Sequence, residues 1–100
     1  MQPKTKKARI DLVVRKLARN TKNLSLDIHA FAERPFQEFK SSKSLANFLS
    51  GEGFDVQFPF SKIPTAFKAT WGSGKPVIGM LGEYDALPNC GSKNGVWGHG

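Results

Sequence analysis

The chain has 100 residues, of which 39% are hydrophobic and 11% aromatic, and its formal net charge is +7. This length allows one small domain with a modest core. No apolar run approaches the roughly 20 residues that span a bilayer, and no secretory signal follows the basic start. A single cysteine excludes an internal disulfide and is compatible with a reducing compartment. We therefore expect a cytoplasmic globular protein without a membrane partner, although organelle targeting by the basic amino terminus stays open.

The positive charge is concentrated at the amino terminus. Residues 1–22 hold eight Lys or Arg against one acidic residue, whereas residues 23–100 hold seven of each sign. Such an arm can bind nucleic acid or anionic lipid, or can direct a protein to an organelle. No aromatic residues are interleaved with the charges, which argues against nucleic acid, and the arm is poor in serine, which argues against a transit peptide. The simplest interpretation is a solvated helix face with a frayed, lysine-rich end.

Hydrophobic periodicity predicts one long helix over residues 8–32. Thr21 interrupts its apolar stripe, so a break near Asn20–Asn23 stays open, and Pro35 disfavours helix at Arg34. The stripe expected to be buried consists of Ile10, Val13, Val14, Leu17, Leu24, Ile28 and Phe31.

A second helix is predicted from about Gln37 to Ser50, with a glycine cap after it. Its side chains expected to be buried are Phe39, Leu45, Phe48 and Leu49.

Beyond Gly53 the hydrophobic period changes to two, which predicts strands. A first strand covers Phe54–Phe60 and ends near Pro59, which has no N–H to donate. Further strands are predicted at Ala66–Trp71 and Pro76–Leu81, joined by a short hairpin loop. Two helices followed by three strands predict an α/β fold, and the glycine-rich stretch from residue 89 onward is expected to be irregular.

Two carboxylates, Glu83 and Asp85, follow the third predicted strand. Ligands of open α/β sheets bind at the carboxyl ends of strands, and residues two apart in an extended segment point to the same side. Two carboxylates on one face repel each other unless a cation, a shared proton or water offsets the repulsion. A solvated loop and a functional site are both compatible with this pattern. Cys90 and His99 follow closely and supply material for a metal site, but not a complete one.

The other motifs in the sequence give weaker evidence for a function. Gly72-Ser73-Gly74-Lys75 is not a phosphate-binding loop, because Ala69 stands where the first glycine is needed and Pro76 where Ser or Thr is needed. The chain contains no Gly-x-Ser-x-Gly elbow, so serine-hydrolase chemistry has no support. His29 lies near the apolar stripe of the first helix, where a structural or capping role is favoured over a ligand role.

Three blocks within residues 26–100 occur in an order that is specific as a combination. They are Ile28-His29-Ala30 through Glu33 with Phe36–Phe39, Ile63–Phe67 with Gly72–Ile78, and Gly82–Pro88 with Gly98-His99-Gly100. Together they resemble the zinc-peptidase family of aminoacylases, carboxypeptidase-like enzymes and amidohydrolases. The resemblance is greatest to the amidohydrolase branch, which includes aminobenzoyl-glutamate hydrolase, hippurate hydrolase and a dipeptidase. The first block departs from the family pattern at Ala32, Pro35 and Gln37.

The resemblance implies a two-metal amidase in which zinc or manganese activates water to cleave N-acyl amino acids or dipeptides. It implies that Asp85 supports the metal site, that Glu83 lies beside it, and that His99 is adjacent to the expected metal motif. The ligating cysteine is expected directly after Gly100, and Cys90 matches no ligand position. A catalytic zinc needs three protein ligands, so we expect no complete metal site and no activity in these 100 residues. No substrate-binding residue is assigned.

The resemblance divides the chain into a basic arm, residues 1–22, and the amino-terminal portion of a metallo-amidohydrolase catalytic domain, residues 23–100. The expected architecture is the opening part of an α/β/α zinc-peptidase domain, incomplete here. The implied partner is a small amide or dipeptide, and a homo-oligomer is left open. The alternative is a non-enzymatic relic that acts as an interaction module, through an arm that binds nucleic acid or a membrane.

Overall fold

In the computed structural model, which describes residues 4–100, two helices precede a small antiparallel sheet. Helix α1 covers Lys6–Phe31 and helix α2 covers Phe39–Gly51, and strands β1 (Asp55–Gln57) and β2 (Lys68–Thr70) follow. This element order confirms the predicted α/β class, with two leading helices and an incomplete sheet. Residues 1–3 of the basic arm lie outside the described residues.

Helix α1 is continuous and has no break at Asn20–Asn23. It begins where the Thr5 hydroxyl accepts a hydrogen bond from the Ala8 N–H at 3.1 Å. The Thr21 hydroxyl donates to the Leu17 carbonyl at 2.9 Å, so this polar residue within the apolar stripe is satisfied inside the helix. The helix ends at Ala32, which adopts the left-handed conformation with φ of 46°.

Replacing Thr5 with alanine is expected to fray the first turn of α1. The Thr5 hydroxyl satisfies one of the helix's unpaired N–H groups, and losing such a cap costs about 1 kcal/mol of helix stability. Amide exchange of the first turn should accelerate accordingly. Thr21→Ala is the matched control, because the Thr21 hydroxyl bonds only carbonyls within the helix, and unchanged exchange in Thr5→Ala would contradict the cap.

The expected burial of the α1 stripe is wrong for its amino-terminal half. Ile10, Val13 and Val14 are 62%, 52% and 61% exposed, whereas Leu17, Leu24, Ile28 and Phe31 are half-buried. The molecule extends over 51 × 30 × 21 Å with a radius of gyration of 16.1 Å, against about 13 Å for a compact chain of this length. The stripe is exposed because the start of α1 projects beyond the rest of the molecule. Neither helix in residues 4–100 combines the length and the apolar character needed to cross a bilayer.

The interior of residues 4–100 is built of small side chains rather than of the large apolar side chains expected to be buried on the two helices. Its buried residues are Ser41, Ser42, Ala46, Thr65, Ala86 and Gly98. Phe39, which was expected to be buried, is 55% exposed, while Leu45, Phe48 and Leu49 are half-buried. The large apolar side chains of α2 therefore lie at the edge of the interior.

Strands β1 and β2 pair in antiparallel register around Val56 and Ala69. Both central residues are half-buried and their neighbours are exposed, as the alternating pattern predicted. Each strand has three residues and is shorter than expected, and β1 ends before Pro59. The Phe60 N–H donates to the Ala66 carbonyl at 2.9 Å and closes the connection between the strands.

The third predicted strand does not form. Residues 76–82, which we call the apolar segment, have no strand structure, so no hairpin joins them to β2. Val77, Met80 and Leu81 are 87%, 96% and 98% exposed. A strand requires a hydrogen-bonded neighbour, and nothing within residues 4–100 pairs with this one.

Candidate functional site

The acidic pair singled out by the sequence lies in a groove of about 310 Å³, which we call the acidic groove. Glu83 is exposed and Asp85 half-buried, and Glu38 adds a third carboxylate to the lining. The groove is lined by Pro35, Phe36, Glu38, Ile63, Thr65, Ala66, Gly82, Glu83, Tyr84 and Asp85. All three of the sequence blocks that carry the resemblance contribute to it.

Hydrogen bonds tie these blocks together at the groove. The Thr65 hydroxyl donates to Glu38 Oε1 at 3.1 Å, and the Tyr84 hydroxyl donates to the Thr65 carbonyl. The Tyr84 ring also stacks on Phe67, with centroids 6.2 Å apart and planes 21° from parallel. Tyr84 lies between Glu83 and Asp85 in the sequence, so this anchoring fixes the backbone from which both carboxylates project.

The environment of Tyr84 predicts a measurable titration. Burial, and secondarily the negative charge of Glu38, raises the pKa of Tyr84 above its ordinary value. Because the chain has one tyrosine, its ultraviolet phenolate absorbance reports this group alone. We expect the titration midpoint of Tyr84 in the folded chain to lie above that of the same chain in denaturant. In Glu38→Gln the midpoint should be lower than in the unmodified folded chain. Glu52→Gln, outside the groove, should leave the midpoint unchanged.

The sign of the linked stability effect follows from the raised pKa. Folding favours the neutral phenol, so this contribution to stability is present below the pKa of the unfolded chain and is lost as the pH rises through the folded pKa. Equal midpoints in the folded and denatured chain would contradict the burial and hydrogen bonding of Tyr84.

Glu33 joins the start of α2 to the segment that carries Glu83 and Asp85, and this role was not predicted from the sequence. Its carboxylate accepts the N–H of Lys40 at 3.0 Å and that of Ser41 at 2.7 Å, so it caps the start of α2. Its backbone carbonyl accepts the Ala86 N–H at 2.7 Å. An acidic residue before a helix is a capping signal, but Glu33 lies too far ahead of Phe39 for the usual capping pattern to find it.

The pKa of Glu33 reflects these contacts. Partial burial acts to raise it, but the backbone N–H groups of Lys40 and Ser41 and the positive charge of Lys40 favour the ionised form. The net effect holds the pKa of Glu33 below its ordinary value. Glu33 is therefore an ionised cap over the neutral pH range.

The residues after the acidic pair form what we call the terminal loop, residues 87–100. Leu87 and Gly98 exchange two backbone hydrogen bonds of 2.8 and 3.0 Å, and the Gly100 N–H donates to the Cys90 carbonyl at 2.7 Å. A Cβ on Gly98 would lie 2.5 Å from Gly91 Cα and 2.8 Å from the Cys90 carbonyl oxygen. Residues 89–100 form no helix and no extended strand, which confirms the predicted irregular stretch, and its glycines allow two of its segments to touch.

Two histidines meet where the terminal loop contacts α1. His29 Nε2 lies 3.1 Å from the Gly100 carbonyl oxygen, and the rings of His29 and His99 are 6.1 Å apart between centroids. The Arg34 guanidinium covers the Trp97 ring at 4.7 Å. The contact of His29 with the backbone agrees with the structural role that the sequence favoured for it over a ligand role.

The described residues do not fit a metal centre by themselves. Within residues 4–100, no three His, Cys, Asp or Glu side chains come together in a group able to hold a metal ion, whereas a catalytic zinc takes three protein ligands. Glu83 and Asp85 line the acidic groove, while Cys90 and His99 belong to the terminal loop. The roles expected of Asp85 and Glu83 stay predictions.

Comparison with known proteins gives one short but close relationship. Over 63 residues, which are 63% of this chain, the sequence is 48% identical to one of the subunits of p-aminobenzoyl-glutamate hydrolase from Escherichia coli (strain K12). The match covers 13% of that protein, so the chain corresponds to a small part of its relative's length. No family model and no solved structure matches the chain. The identity supports an amidohydrolase-like relationship over the matched segment.

Proposed function

We propose that this chain is part of a metal-dependent hydrolase that cleaves the amide bonds of N-acyl amino acids or dipeptides. The observation that carries the proposal is the 48% identity to a hydrolase of p-aminobenzoyl-glutamate, itself an amide between an aromatic acid and an amino acid. The metal, zinc or manganese, would take most of its ligands from outside residues 4–100, since these residues hold no group of three ligands. We therefore assign no chemical step to the metal.

Within such an enzyme, this chain supplies one wall of the site. Glu83 and Asp85 face a common groove, and the bonds that join Tyr84, Thr65 and Glu38 hold that wall in place. Asp85 is the residue we propose to support the reacting centre. The 100 residues alone are expected to be inactive, because residues 4–100 bring no three His, Cys, Asp or Glu side chains together in a group able to hold a metal ion.

A chimera tests this function. Residues 26–100 of this chain would replace the corresponding segment of the E. coli relative, and hydrolysis of p-aminobenzoyl-glutamate would be measured. We expect the chimera to be active, to lose activity on treatment with a chelator, and to lose it in Asp85→Asn. Asp55→Asn, on exposed β1, is the matched control and should leave activity unchanged. A folded chimera without activity would contradict the proposal, and turnover by the 100-residue chain would contradict its expected inactivity.

A second candidate function is an interaction module that acts through the basic arm. It is favoured by the amino-terminal half of α1, where exposed Ile10, Val13 and Val14 lie among the eight basic residues of positions 1–22. Amphipathic basic helices bind anionic surfaces. Affinity for DNA or anionic vesicles that falls steeply with salt, and that disappears on deletion of residues 1–22, would support this candidate.

A further inference from the structure

Two side chains near the end of α1 reach across to the terminal loop. The Arg34 guanidinium lies 4.7 Å from the centre of the Trp97 ring, and His29 Nε2 lies 3.1 Å from the Gly100 carbonyl oxygen. A carbonyl oxygen only accepts hydrogen bonds, so Nε2 is the donor in this contact. The two contacts hold the loop at separate points, one through a ring face and one through the backbone.

The terminal loop transmits these contacts because backbone hydrogen bonds close it on itself. Leu87 and Gly98 exchange two such bonds of 2.8 and 3.0 Å, and the Gly91 N–H donates to the Val96 carbonyl at 2.9 Å. Trp97 directly precedes Gly98 in the chain. A contact that fixes Trp97 therefore also fixes Leu87, on the other side of the closed loop.

The loop starts two residues after Asp85, so it determines one side of the backbone that carries this carboxylate. The Ala86 N–H donates to the Glu33 carbonyl at 2.7 Å, and Ala86 is fully buried. Glu33 directly precedes Arg34, so the hydrogen bond to Ala86 and the contact with Trp97 start from adjacent residues. The segment that carries Asp85 is thus attached to the end of α1 twice, once directly and once through the loop.

We propose that Arg34 and His29 are positioning residues that hold the terminal loop against α1 and thereby keep Asp85 in the acidic groove. The inference rests on the proposed function, in which Asp85 supports the reacting centre. Neither Arg34 nor His29 is among the residues that line the groove. Their effect on the reaction is therefore exerted through the loop and not by contact with substrate.

The chemistry of Arg34 suits this role. A guanidinium group is planar, stacks on an aromatic face, and is attracted by the negative face of the ring. Lysine keeps the charge and part of this attraction, but its ammonium group is compact and strongly hydrated. Attachment of the loop should therefore decrease from the unmodified chain to Arg34→Lys, and further to Arg34→Ala.

Amide exchange in the full chain tests the attachment without a catalytic assay. Arg34→Ala and His29→Ala should each raise the exchange rates at Ala86 and Leu87 by about two- to fivefold, as expected for loss of one exposed contact. Arg34→Lys and His29→Gln retain a cation and an N–H donor, so they should restore part of the protection. Lys43→Ala, which removes an exposed basic residue from α2, is the matched control and should leave these rates unchanged.

Kinetics of the chimera with the E. coli relative test the effect on Asp85. Displacement of Asp85 disturbs the reacting centre and leaves the other substrate contacts in place. Arg34→Ala should therefore lower kcat for p-aminobenzoyl-glutamate by about tenfold, with KM changed by less than about twofold. Arg34→Lys should recover part of this loss, and Lys43→Ala should be as active as the unmodified chimera.

The combined outcomes decide the proposal. Faster exchange at Ala86 and Leu87 in both alanine variants, with a loss in kcat that Arg34→Lys relieves, supports it. Unchanged exchange in Arg34→Ala and His29→Ala would overturn it, as would an equal rise in exchange throughout α2 or a change in KM alone. An unmodified chimera without activity would instead contradict the proposed function, and the exchange rates would then decide the attachment by themselves.

Discussion

Replacing Gly98 with alanine is expected to disrupt the terminal loop and to cost about 1–3 kcal/mol of folding stability. The new Cβ would lie 2.5 Å from Gly91 Cα, 2.8 Å from the Cys90 carbonyl oxygen and 2.8 Å from the Gly91 nitrogen. All three are backbone atoms, which cannot rotate away as the end of a side chain can. The loop must therefore open, and the two hydrogen bonds between Leu87 and Gly98 are lost with it.

Urea denaturation measures the cost, and amide exchange at Leu87 and Gly98 locates it. The control is Gly82→Ala, because a Cβ at Gly82 meets no atom within 4 Å and should be tolerated. If Gly98→Ala were as stable as the unmodified chain, with both amides still protected, the close approach of the two loop segments would be incorrect.

Replacing Glu33 with alanine is expected to destabilise the chain by about 1–2 kcal/mol near neutral pH. The substitution leaves the N–H groups of Lys40 and Ser41 at the start of α2 without their acceptors. Hydrogen bonds to a carboxylate are stronger than those between neutral groups. The midpoint of urea unfolding should fall, with α2 losing exchange protection first.

The effect of Glu33→Ala should depend on pH in a defined direction. The folded chain holds the pKa of Glu33 below its ordinary value, so the stabilisation is complete above the pKa that Glu33 has in the unfolded chain. It is lost as the pH falls through the lowered pKa of the folded chain. The difference in stability between the unmodified chain and Glu33→Ala should therefore shrink in acid.

Glu52→Ala is the matched control for this experiment. It removes the same charge from an exposed position at the other end of α2, where a carboxylate gains nothing from the helix dipole. The capping role of Glu33 would be contradicted if the loss of stability in Glu33→Ala did not depend on pH. It would also be contradicted if Glu52→Ala lost the same stability.

Local periodicity predicted the helices well and the strands poorly. The spacing of apolar residues placed α1 and α2 within a few residues of their ends, because a helix makes its own hydrogen bonds. Strand formation depends on a neighbouring strand. Part of Ala66–Trp71 pairs with β1 and forms a strand. Pro76–Leu81 is also apolar but has no partner among residues 4–100, and it forms none. A pattern along one segment cannot supply that partner.

The candidate site was predictable in its residue types but not in its construction. The position of Glu83 and Asp85 after an apolar run indicated a shared location, and both line the acidic groove. The supporting contacts, from Glu33 to α2 and from Tyr84 to Thr65, join residues that are distant along the chain. Without knowledge of which segments meet, no local pattern identifies such contacts.

The bonds that hold the groove wall have a consequence for the order in which the molecule assembles. Tyr84 and Thr65 are 19 positions apart, and Thr65 and Glu38 are 27 apart, so these links close large chain loops, whereas each helix is local. Contacts that close long loops form late during folding. We therefore expect the pocket to be completed after the helices, and a molecule bound in it would stabilise the folded chain against opening.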